Sequence, residues 1–143
     1  MEGLTLAIVV LGSVGFVGAG LLVWAYRGAG SVGILFREVM PLPAGLSPEA
    51  EQHFQRGIAT YIRGQYARSV EHFNQANAAQ PEPCAAALHN LGLTWANLKQ
   101  DDRAVRELLR AADLYAQQED TASVELVKQQ LLNLRQRRAE RQG

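Results

Sequence analysis

Any metal centre or acid–base pair in this chain would have to draw on its three histidines, its single cysteine and its carboxylates. His53, His72 and His89 are scattered, and Cys84 with His89 is the nearest approach to a metal pair. A bound zinc takes several Cys, His or carboxylate ligands at short characteristic spacings. No CxxC, HxxxH or clustered carboxylates accompany these residues, so they read as structural or surface side chains. There is no G-x-S-x-G elbow, no phosphate-cradling glycine loop and no strand to carry either. Gly12 to Gly20 is rich in glycine but sits inside an apolar run, the wrong setting for phosphate. The sequence therefore predicts no catalytic residue, no metal, no cofactor and no small-molecule substrate.

Charge points the same way. Fourteen basic side chains balance fourteen acidic ones, whereas phosphate binding needs a clear excess of Lys and Arg, so nucleic acid is set aside as a partner. One cysteine cannot close an internal disulfide, so no oxidising compartment is implied. Residues 4–26 carry no charge and, as a helix, would span roughly 34 Å, enough to cross a bilayer. Trp24 and Tyr26 suit the headgroup level, and Arg27 closes the segment. A cleaved signal peptide is the alternative, but no Lys or Arg precedes the run and it exceeds the usual apolar length of about 7–15 residues. The nearby basic residues, Arg27 and Arg37, both follow the span, which predicts the N-terminus outside and the rest of the chain inside. Gly15 and Ala19 form a small-xxx-small pair that would let another membrane helix approach closely; equally, glycine is simply frequent in such helices.

Residues 27–46 mix glycine, proline and a short apolar patch, Val32 to Phe36, and read as a linker. The patch would lie along the membrane surface or pack on the first hairpin. From Ser47 the pattern becomes helical: Ser47 as N-cap, Pro48 in the first turn, Glu49 and Glu51 at the positive end of the dipole. Helices are predicted from about Pro48 to Arg63, Tyr66 to Pro81, Cys84 to Lys99 and Asp102 to Gln117, with Asp101 or Asp102 as a cap and the turn near Lys99 short of a glycine. A last helix from about Thr121 shows Val124, Val127, Leu131 and Leu134 on one face and covers the second pair, leaving a polar tail at 139–143. Its Arg135, Arg137, Arg138 and Arg141 read as a solvated, dipole-compatible end.

Two of these hairpins are copies. Gly57, Ser69, Phe73 and Ala76 return 35 positions later as Gly92, Ala104, Leu108 and Ala111. A period of that size belongs to stacked helical hairpins. Leu88, Leu91, Gly92, Trp95, Ala104, Leu108 and Ala111 follow the spacing of the tetratricopeptide-repeat family, and residues 47–138 resemble it. The first copy departs at His53, Arg56 and Thr60 and agrees at Gly64, Tyr66, Phe73, Ala76 and Pro81. The resemblance implies a short α-solenoid of two hairpins and a capping helix, so that with the transmembrane helix read from the uncharged run the chain is expected to be all-α. About three repeats are usual, so the linker, the membrane, a partner or a second copy is expected to cover one end. A membrane span followed by a few such repeats is also similar in layout to the photosystem I assembly factors of cyanobacteria and plastids, whose membrane is the thylakoid.

What the family resemblance implies for function is a non-enzymatic scaffold that binds other proteins. Its concave face is lined by the first helix of each hairpin: Phe54, Ile58, Tyr61 and Ile62 from one copy, His89, Asn90, Leu93 and Asn97 from the other. Relatives that hold a chaperone's C-terminal carboxylate use basic and amide side chains there; only Asn90 matches, with Phe54 and Ile58 replacing the lysine and asparagine. An apolar or amphipathic segment of a membrane-protein client suits this face better. Alternatively, Phe54 and Ile58 pack against the patch at 32–36. Two roles are open: an adaptor in the assembly or stabilisation of a membrane complex, and a permanent small accessory subunit of one.

Overall fold

Each helix begins and ends where its own residues dictate. In the computed structural model, which describes residues 34–143, α1 (Pro48–Ile62) starts at Ser47, whose Oγ accepts from Ala50 N at 3.2 Å and donates to Ala79 O at 3.1 Å. Then come α2 (Tyr66–Ala78), α3 (Ala85–Asn97), α4 (Asp101–Gln117) and α5 (Thr121–Gln142). Helices are the only regular elements among the described residues. Asp120 caps α5 through Ser123 N at 3.0 Å and Ser123 Oγ at 2.6 Å. That helix runs on through residues 139–142, beyond the expected start of the tail.

The expected membrane helix at 4–26, with its Gly15 and Ala19, lies outside the described residues. Among those described, no helix is long and apolar enough to cross a membrane.

The turns repeat as the helices do. Gly64 has φ +73°, its N–H meets Tyr61 O at 2.9 Å, and Gln65 N reaches back to Thr60 O at 2.9 Å. Thirty-five positions on, Lys99 has φ 63°, with Lys99 N to Ala96 O at 3.1 Å and Gln100 N to Trp95 O at 2.9 Å. Glu119, φ 58°, repeats the pair through Ala116 O and Tyr115 O. This is the helix-ending arrangement in which a left-handed residue satisfies two orphan carbonyls; glycine adopts it freely, and Lys and Glu adopt it under strain. The bonds, rather than the glycine, are what the three turns share.

Helices pack principally on their sequence neighbours: α1 on α2, α2 on α3, α3 on α4 and α4 on α5. Within the hairpins the glycines mark the crossings. A Cβ on Gly57 would lie 2.6 Å from the Phe73 ring, and one on Gly92 would lie 2.6 Å from Leu108 Cγ. Phe73 and Leu108 are fully buried, and Ser69 Oγ donates to Gly57 O at 2.9 Å. Asp101 takes no capping role. Its carboxylate, 8% exposed, pairs with Arg137 of α5, which also donates to Ala96 O at 2.8 Å, so α5 is tied back to the end of α3. Arg137 is therefore an internal partner of Asp101 rather than part of a solvated tail. Leu35–Gly143 forms one compact unit, and the stretch expected to be linker is part of it from Leu35 onward.

Candidate peptide groove

Asn90 and Asn97 stand seven residues apart on α3, two turns along one face. Both are buried. Opposite them runs a strap, residues 35–46, with no helix or strand of its own. Asn97 Oδ1 accepts from Phe36 N at 3.0 Å while its Nδ2 donates to Phe36 O at 2.7 Å. Asn90 repeats the grip: Oδ1 accepts from Met40 N at 2.6 Å, and Nδ2 donates to Met40 O at 3.0 Å. Each amide thus satisfies both main-chain groups of one strap residue. Two helical turns rise roughly 10.5 Å, whereas four residues rise about 6 Å as a helix and reach about 13–14 Å when extended, so a strap that spans the clamps is drawn out rather than coiled.

Tyr61 of α1 completes the first clamp. Its hydroxyl donates to Phe36 O at 2.6 Å and accepts from Asn97 Nδ2 at 2.9 Å. Burial pushes the Tyr61 phenol far up from its ordinary value, and the nearby Tyr66, whose ring meets it edge-on at 5.2 Å, adds to this; the Asn97 hydrogen bond opposes it. The hydroxyl is a fixed donor across the physiological range. Phe36 is buried in the core, and Leu35, Val39, Met40, Leu42 and Leu46 pack against it.

The eight residues expected on the concave face separate. Tyr61, Asn90 and Asn97 meet the strap. Phe54 is fully buried within the first hairpin, edge-on to Phe73 at 5.4 Å, and Leu93 is likewise core. Ile58 is half-buried against the core, and Ile62 is exposed. His89, one position before Asn90 and so turned about 100° around the helix, faces the other way. Its Nε2 lies 2.6 Å from Gln130 Oε1 and its Nδ1 3.2 Å from the Tyr115 hydroxyl, which suits a neutral ring with its proton on Nε2. Burial holds its pKa below the ordinary value, with the Gln130 hydrogen bond opposing. Burial likewise raises the Tyr115 phenol, helped by Cys84 and Asp120.

His53 and His72 stack with ring centroids 6.2 Å apart. Among the described residues, no three or more His, Cys, Asp or Glu side chains gather to hold a metal. The arrangement can grip a polypeptide main chain; it presents no nucleophile with a base beside it. Sequence reasoning missed Phe36 and Met40 as the partners of the asparagines. The signal lay in the supposed linker itself, where Leu35, Phe36, Val39, Met40, Leu42 and Leu46 are too many apolar residues for a solvated tether. No family model, no curated protein and no solved structure matches this chain.

Proposed function

We propose that the protein is a membrane-anchored adaptor whose tetratricopeptide-like α-solenoid holds an extended segment of a client protein in the assembly or stabilisation of a membrane complex. The single observation that carries this is the pair of asparagine clamps, Asn90 and Asn97, each satisfying the N–H and C=O of one residue of an extended chain. Such a grip reads main chain, the feature every polypeptide client shares, while the apolar surroundings select its side chains. Two hairpins related by the same offset in sequence, in turn bonds and in glycine crossings support the repeat reading. The anchor rests on the uncharged run at 4–26, and the N-outside orientation on Arg27 and Arg37. The likeness in layout to photosystem I assembly factors offers one such complex and one membrane, the thylakoid.

Affinity capture from detergent-solubilised membranes followed by mass spectrometry tests the reading. The wild-type chain should recover a membrane-protein client that the Asn90→Ala/Asn97→Ala variant does not. Recovery at fixed stoichiometry through stringent detergent washing would instead mark a permanent accessory subunit. Recovery of nothing that depends on the asparagines would overturn the proposal.

A further inference from the structure

The groove already has an occupant. The strap 35–46 is held by hydrogen bonds from Asn90, Asn97 and Tyr61 that all go to its main chain, so none of these grips depends on a particular strap side chain. The strap belongs to no helix or sheet, so its departure would break no ladder. Beside Met40 opens a cleft of about 630 Å³, walled by strap residues as far as Leu46, by residues 80–86 and by Tyr115. A competing segment has a place there to seat before the strap has left.

We propose that the strap is an intramolecular competitor occupying the client's place, and that a client enters by displacing it. This rests on the adaptor reading of the same face and deepens it by specifying the client segment. The clamps require an N–H at two positions four residues apart, which excludes proline at both. The strap itself carries Phe36 and Met40 there, with prolines only afterwards, at 41 and 43. The fitting partner is therefore an extended, unpaired protein segment with apolar side chains at i and i+4 and proline at neither.

The probe is a fluorescein-labelled peptide copying residues 34–46, titrated by anisotropy into the full chain in detergent micelles. Phe36→Ala/Met40→Ala, which weakens the resident strap, should bind it at least ~10-fold more tightly than wild type, because apparent affinity scales with the fraction of open groove. Adding Asn90→Ala/Asn97→Ala should abolish binding, and a peptide with proline at both clamp positions should not bind. A folded strap variant that binds no better than wild type would overturn the proposal. Should that variant unfold, hydrogen exchange on the wild-type chain decides. The Phe36 and Met40 amides should exchange at least ~100-fold faster than those of Leu91–Asn97, through local opening. Exchange of both sets together would make the strap a permanent element and sink the idea, as would concentration-dependent dimers that trade straps between copies. Equal client recovery by wild type and strap variant would overturn the displacement and leave the adaptor standing. Peptide binding with no client recovered would do the reverse.

Discussion

Replacing Gly92 by alanine should destabilise the helical unit even though alanine is the better helix former. The added Cβ would lie 2.6 Å from Leu108 Cγ, 2.8 Å from its Cδ2 and 3.2 Å from Ala104 O. Carbon atoms in contact prefer about 3.5–4.0 Å, so something has to retreat by roughly 1 Å. Leu108 is fully buried, the atom struck is its branch point rather than a free methyl, and Ala104 O belongs to the α4 backbone. Overpacking of this kind costs about 1–3 kcal/mol, against a propensity gain of about 1 kcal/mol for leaving glycine. The balance is a net loss of up to about 2 kcal/mol. Urea denaturation followed by circular dichroism should show a lower midpoint with an unchanged slope. In a double-mutant cycle, Leu108→Ala makes room, so the pair should be less destabilised than the sum of the singles by about 1 kcal/mol or more. A Gly92→Ala protein more stable than wild type would refute the reasoning, because the helices would then not approach this closely.

Arg137→Ala strands the buried Asp101 carboxylate with only Arg141, 3.4 Å away, to compensate, and should cost about 2–3 kcal/mol in denaturant titrations; removing Asp101 as well should recover part of it. His89 is neutral in the fold, its pKa lowered by burial from an ordinary 6.5, so below about that pH the unfolded chain binds more protons than the folded one. Its contribution is complete above pH ~6.5 and is lost as the pH falls. The melting temperature should therefore drop from pH 7 to pH 5, less steeply in His89→Gln. The Asp120 carboxyl, lowered from 3.8 by Ser123, titrates beneath this window. Glu119→Gly relieves a left-handed φ of 58° and should raise stability by about 0.5–1 kcal/mol, seen as a higher urea midpoint.

Local signals account for what could be read in advance. Ser47 with Pro48, Gly64, and Pro81 with Pro83 mark helix ends through backbone chemistry that needs no tertiary partner. The offset from Gly57 to Gly92 survives because each glycine answers to a bulky residue on the next helix of the same hairpin. Where partners are distant, the reading fails. Asn90 and Asn97 fall on one stripe of α3 by spacing alone, but what that stripe meets is decided 50 and 61 residues away. A chain without periodicity reads as linker, because pattern rules detect helices and strands, whereas the strap's main chain is held at Phe36 and Met40 by side-chain amides. Asp101 offers itself as a cap at the start of α4 until Arg137, in a stretch that looks like solvated tail, claims it.

The clamps also set an order of events on the ribosome. Phe36 is made long before Asn97, and at roughly 5–20 residues per second the 61 intervening residues take about 3–12 s to appear. The hairpins, built from near neighbours, close over short loops and form as they emerge, while the strap must wait for α3. For those seconds Leu35, Phe36, Val39 and Met40 have no groove to enter and depend on whatever shelters an emerging chain. The first piece of this unit to be synthesised cannot find its place until α3 is complete.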